Sequence, residues 1–181
     1  MKPNKSNLST LKQICQLIPG HLVHKLAKKH GIKTRKFDSW SHVVSLLYTQ
    51  LSHALSLNDV CDGLHYHSSS LAKIRDATPP KRNTLSNANR TRNAAMAEDL
   101  FWEVLKSLQS QVPSFGLDKQ NSNFPQRFKR AVYAVDSTTI QLVAHCLDWA
   151  KHRRRKAAAK CHMQLNLQTF LPSYAIVKEA N

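Results

Sequence analysis

A single carboxylate, Asp136, follows the apolar run Ala131, Val132, Tyr133, Ala134, Val135 and precedes the hydroxyl cluster Ser137, Thr138, Thr139. This pattern reads as a buried central strand that delivers one carboxylate at its end. A carboxylate on a rigid strand suits metal-dependent phosphoryl transfer. Mg2+ (or Mn2+) is a hard cation that prefers oxygen ligands. Two such ions, roughly 3.5–4 Å apart, activate the attacking oxygen and stabilise the leaving one. The pair needs more than one carboxylate, and after Asp136 the only acids are Asp148 and Glu179. The alternative reading of Asp136 is a residue that caps the turn after a strand.

Two further sets of side chains could meet a nucleic acid. His152, Arg153, Arg154, Arg155 and Lys156, followed by Lys160 and His162, form a cationic cluster fit to grip a phosphate backbone; the bland reading is an exposed charged loop. Arg82, Asn83, Asn87, Asn89, Arg90 and Arg92 are of the types that suit base edges and phosphates, although a solvated helix face would have the same composition. His145-Cys146 and Cys161-His162 offer four ligands of the kind zinc accepts, but without Cys-x-x-Cys spacing the cysteines read as small core residues.

The net charge is +16, and its distribution says more than its size. Residues 1–36 carry nine Lys or Arg and no acid, residues 37–126 carry eight of each sign, and residues 127–160 carry nine basic residues against Asp136 and Asp148. Two cationic blocks flanking a neutral middle point to a nucleic acid, because neutralising phosphates releases counterions; the bland reading is a ribosomal-type or merely soluble basic surface. Four widely spread cysteines, Cys15, Cys61, Cys146 and Cys161, with no signal peptide before them, read as reduced thiols of a cytoplasmic, nucleoid-associated protein. No apolar run reaches the length of a membrane span, so no membrane partner is expected.

The elements that must position these residues divide the chain in two. Residues 1–112 read as helices. Leu8, Leu11, Ile14, Cys15 and Ile18 share a face that Pro19-Gly20 ends, and Leu22, Val23, Leu26 and Ala27 begin a short second helix that stops near Gly31. Asp38 or Ser39 caps a third helix with the face Trp40, Val43, Val44, Leu47, Leu51 and Ala54; Ser56 to Asp59 forms a capping box; and His65 to Ser70 reads as a turn. After Pro79-Pro80 one long helix is expected from about Thr84 to Gln111. Residues 113–126, rich in Pro, Ser, Asn and Gly, read as a linker. In residues 127–181 the period shifts to strands: Ala131 to Val135, then Cys161 to Gln168 with apolar and polar residues alternating, then Tyr174 to Val177. The expected class is α+β, a helical N-terminal domain followed by an antiparallel meander.

The residues now laid out carry a resemblance. Arg82-Asn83-Thr84-Leu85-Ser86-Asn87-Ala88-Asn89-Arg90-Thr91-Arg92 is similar to the "STLSDANxxR" element of DDE-class insertion-sequence transposases, in the family-four branch with a helical N-terminal domain. Val135-Asp136-Ser137-Thr138-Thr139-Ile140, followed by Trp149-Ala150, Arg153, Lys156 and Lys160-Cys161-His162, resembles the family's "DSTTI…WAxxRxxKgaxKxH". The resemblance implies an RNase H-like catalytic domain, metal-dependent DNA cleavage and strand transfer, and double-stranded DNA, the transposon ends, as the partner bound. It makes Asp136 the first acid of the triad and its Mg2+ ligand, and it places Arg153, Lys156, Lys160 and His162 at family positions. The family's second acid lies in a later "DRGY" strand and its glutamate in a far C-terminal helix, and neither motif follows Asp136 here. The expectation is therefore an N-terminal transposase fragment, truncated inside the RNase H-like domain and inactive alone. It would act as a DNA-binding protein, as an inhibitor pairing with the full-length enzyme or with itself, or persist as a decayed remnant.

Overall fold

Apolar residues at helical spacing build the first half of the molecule. The computed structural model describes residues 7–112, 114–116, 131–142, 151–152 and 156–179. Its class is α+β, as the periodicity predicts, and the chain divides into two compact units, Met1–Gln111 and Val112–Asn181.

The first unit holds seven helices among the described residues: α1 Asn7–Leu17, α2 Leu22–Lys29, α3 Ser39–Ser52, α4 Leu57–Tyr66, α5 Ser68–Ala72, α6 Arg82–Thr91 and α7 Ala95–Gln111. Leu11, Val23, Val44, Val60, Leu64, Leu71 and Leu85 meet in one core with almost no exposed surface. Burying a side chain of this size stabilises the fold by about 1.5–3 kcal/mol. The helix ends follow local chemistry. Asp38 caps α3 by accepting the Ser41 N–H at 2.8 Å, and Ser56 and Asp59 form the expected reciprocal box at the start of α4. Gly31 ends α2 in the left-handed region, φ +63°, where its own N–H reaches the Lys28 carbonyl and the Ile32 N–H reaches the Ala27 carbonyl. This paired bonding is a Schellman stop, and Ile32 then packs against the core, as the C″ residue of that motif does. At Gly63 a side chain would run into the Tyr48 hydroxyl, so the close approach of α3 and α4 requires glycine there.

Two expectations for this unit change. The helix foreseen from Thr84 to Gln111 is two helices. Arg92 leaves helical geometry (φ −81°, ψ 140°), and the Asn93 side chain then accepts the Ala95 N–H at 3.0 Å, as α7 begins. Residues 65–70 are not a turn: α4 continues through Tyr66 and α5 starts at Ser68, with Leu64 and Leu71 both anchored in the core.

The second unit is an antiparallel sheet. Its strands are β1 Tyr133–Leu142, β2 Lys151–His152, β3 Lys156–Asn166 and β4 Pro172–Glu179. β3 is central, with β1 along one edge and β4 and the short β2 along the other. β1 does not stop at Asp136. The β-branched residues Thr138, Thr139 and Ile140 carry it on, and β3 pairs with it through Leu142. Nor is β1 a buried central strand among the described residues: β3 is its one partner, Val135 is 75% exposed and Tyr133 45%. The alternation foreseen in β3 holds, since Cys161, Met163 and Leu165 lie on one face and His162, Gln164 and Asn166 on the other. Yet no described layer covers the apolar face, where Met163 is 40% and Val177 54% exposed.

Candidate nucleic-acid interface

The first unit carries an open cleft of about 1330 Å3. This exceeds the usual size of a small-molecule pocket, roughly 300–1,000 Å3, and every lysine, arginine, aspartate or glutamate in its lining is a cation. One wall is the arc from Lys33 to Lys36, which runs from the α2 stop to α3. Ile32 and the buried Phe37 hold the arc at its ends, leaving Lys33, Thr34, Arg35 and Lys36 exposed between them. The facing wall is the Pro79-Pro80 lead, Lys81, and the side of α6 bearing Asn83, Asn87 and Thr91. None of the lining residues is acidic, and among the described residues Lys33, Arg35, Lys36 and Lys81 have no acidic partner. Their positive charge is therefore uncompensated. Nearby, Asp99 is engaged by Lys29 Nζ and His30 Nε2, each at 2.7 Å, and these partners, Lys29 first, hold its carboxyl below the ordinary range.

Packing around α6 separates the side chains singled out on it. Leu85 and Ala88 are buried. Arg82, Asn83, Asn87 and Arg90 are exposed, and Arg90 donates to Asn87 Oδ1 at 3.3 Å. Asn89 is exposed, but its Oδ1 accepts from His42 Nε2 at 2.8 Å, tying α6 to α3. Arg92 points its guanidinium inward to the carbonyls of Phe37 at 2.5 Å and Asp38 at 3.1 Å, and stacks over the Phe37 ring with 5.1 Å to the centroid. Arg75 plays a like part elsewhere in the unit, donating to the Ile18 carbonyl at 2.8 Å and lying over Trp40. Lys33, Arg35 and Lys36 were visible in the sequence as part of a basic block. Nothing local marked them as one wall of a cleft.

The contact between α3 and α6 titrates. Burial, reinforced by the Arg92 charge, pushes the His42 pKa down, while its bond to Asn89 opposes this. The unfolded chain therefore binds more protons than the folded one between the folded pKa and about 6.5, the unfolded value. Stability is full above that window, falls as pH drops through it, and levels off below. The thermal midpoint should fall between pH 7.5 and pH 5.5, and His42→Gln should remove most of that loss. An equal loss in the variant would place the titration elsewhere.

In the second unit, strand register decides which side chains meet. Paired residues of an antiparallel ladder share a face, and neighbours along a strand alternate. Asp136 pairs with Met163, which pairs with Ala175; Thr138, Cys161 and Val177 are the next row on the same face. Ser137 pairs with His162 and Thr139 with Lys160 on the opposite face, where Ile176 and Lys178 continue the rows. Ser137 Oγ lies 2.7 Å from His162 Nδ1. Lys160 and His162 thus project away from Asp136 and do not form one site with it. Arg153, Arg154 and Arg155 lie outside the described residues, as do His145, Cys146 and Asp148, and Lys156 opens β3.

Asp136 is exposed. Its Oδ1 accepts the Ser137 N–H at 2.7 Å, and Thr138 Oγ1 lies 3.5 Å from its Oδ2. Its rows on that face hold Met163, Ala175, Cys161 and Val177, which are not ligands for Mg2+, and Thr138, whose neutral hydroxyl adds one oxygen but no second carboxylate. Glu179 pairs with Ala159 on the same face, but four residues along and two strands across, about 16 Å away by strand geometry. Asp136 alone does not fit a Mg2+ pair, whose members each take six oxygen ligands in near-octahedral geometry.

Residues 6–74 match a family model described as a domain of unknown function, DUF4372. It is a domain found at the N-terminus of transposase-like proteins. The match covers less than half of the chain and includes the Lys33–Lys36 wall of the cleft, whereas α6 lies beyond it. No curated protein and no solved structure matches the chain.

Proposed function

We propose that the chain is the DNA-binding part of a DDE-class insertion-sequence transposase, and that it holds transposon ends without cutting them. The observation that carries this reading is the cleft of the helical unit, where Lys33, Arg35, Lys36 and Lys81 present uncompensated charge beside the exposed amides of Asn83 and Asn87. The match of residues 6–74 to a domain found in transposase-like proteins supports it, as does the motif around Asp136. In this reading Asp136 is the first acid of the family's triad. The chemistry of that triad needs three carboxylates around two Mg2+ ions, and among the described residues Asp136 has no second carboxylate beside it, Glu179 lying four residues along and two strands across.

Titration of the purified chain into labelled duplex DNA should give binding whose log K falls with log salt at a slope of about −3 or steeper, one unit for nearly each phosphate neutralised. Supercoiled plasmid incubated with the chain and Mg2+ or Mn2+ should stay intact, with Asp136→Ala indistinguishable from the parent. A salt slope near zero would overturn DNA binding. Nicking that disappears in Asp136→Ala would overturn the assignment of Asp136 as an incomplete site.

A further inference from the structure

We infer that α6 reads DNA sequence from the major groove while the Lys33–Lys36 arc holds one backbone beside it, an inference that rests on the DNA-binding reading above. The helix has 10 residues and is therefore about 15 Å long, and a B-DNA major groove about 12 Å wide admits it. At 100° per residue, Leu85 and Ala88 define its buried side. Directly opposite, along the outward crest, lie Asn83, Ser86, Asn87 and Arg90, all exposed. Asn83 and Asn87 are four residues apart, one helical turn, so both amides present to the same stretch of groove. Asn pairs in bidentate fashion with adenine N6 and N7, and Arg with guanine O6 and N7. Arg90 already touches Asn87 Oδ1, which limits the freedom of both.

The arrangement around the crest supports this placement. One flank of α6, through Asn83, Asn87 and Thr91, forms a wall of the cleft. A duplex seated on the crest lays one phosphate strand into that cleft, against Lys33, Arg35, Lys36 and Lys81. The other flank is fastened to the unit by Asn89 to His42, and the end of the helix by Arg92 to the Phe37 and Asp38 carbonyls. A reading helix must be held rigidly for its side chains to discriminate, and α6 is tied on its buried face, one flank and one end. The Lys81 N-cap position gives no side-chain acceptor to the first turn, which leaves those N–H groups to an incoming phosphate.

The test selects preferred duplexes from a randomised library with the full chain, then compares the best sequence with a scrambled one. Asn83→Ala combined with Asn87→Ala should reduce the preference by roughly tenfold to a hundredfold, with the salt slope kept, because neither side chain carries a charge that neutralises a phosphate. Both residues are exposed, so the melting temperature should not move, and Arg90→Ala alone should lower the preference in the same way. Selection that enriches no sequence, or a preference that survives both variants, would overturn α6 as the reader even where DNA still binds. Absence of salt-dependent binding in the parent chain would instead overturn the DNA-binding reading itself.

Discussion

Replacing Lys33, Arg35 and Lys36 together with glutamine is expected to lower affinity for duplex DNA by roughly two to three orders of magnitude at about 0.1 M salt. Each phosphate contact adds about 0.9 to the salt slope, so losing three should make the slope shallower by nearly three units. The loss should be the same for any sequence, because phosphates carry no sequence information directly. Fold stability should barely change. The three side chains are exposed, have no acidic partner among the described residues, and sit on an arc held at its ends by Ile32 and Phe37. Fluorescence anisotropy across a salt series checks the slope, and a parallel melt checks the fold. An unchanged slope with an intact fold would move the interface away from the cleft, and the cationic run near Arg153 would then be the next place to look.

What could be read along the chain was what depends on near neighbours. Ser56 and Asp59 are three residues apart and cap each other; α2 stops through bonds from Gly31 three residues back and from Ile32 five residues back. Of the α3 face foreseen from periodicity, Trp40 and Val44 are buried and Val43, Leu47, Leu51 and Ala54 partly so, whereas Ser41, Ser45 and Tyr48 join the buried side unforeseen. What could not be read depends on distant partners. The break between α6 and α7 accompanies Arg92 reaching carbonyls 54 and 55 residues earlier, and apolar spacing runs straight through it. The cleft has the same origin, since its walls come from residues 33–36 and 79–91, and charge composition alone could not bring them together. The sheet shows the limit most sharply. Alternation within β3 was visible, and it put His162 and Met163 on opposite faces. Which of them shares a face with Asp136 follows only from the register of β1 on β3, and that register assigns Met163. A motif that groups Asp136, Lys160 and His162 along the sequence therefore spreads over two faces of one sheet.

Arg92→Ala is expected to destabilise the helical unit by about 2–3 kcal/mol, a drop in melting temperature on the order of 10 °C or more, while leaving the DNA salt slope as it was. The side chain borders the cleft, and its residue type suits a phosphate contact, but its geometry serves the fold. Two guanidinium nitrogens donate to the Phe37 and Asp38 carbonyls, at the start of α3, and the plane covers the Phe37 ring. Truncation removes two charge-assisted hydrogen bonds and a cation–π contact, and it frees α6 from α3 at one end. The residue is half-buried, so water can take up part of the loss, which keeps the figure well below the sum of its contacts. Arg92→Lys should recover little, because a lysine ammonium cannot offer a planar fork to two carbonyls and stack on a ring at once. The pair of variants separates charge from geometry. If Arg92 served the DNA, lysine would retain most of the binding and alanine would make the salt slope shallower by about one unit with the melt unmoved. If it serves the fold, both variants melt early, and binding measured well below the melting point keeps its slope. That outcome would make Arg92 the residue that sets the angle of α6 on α3, and so the side of the helix that faces the cleft.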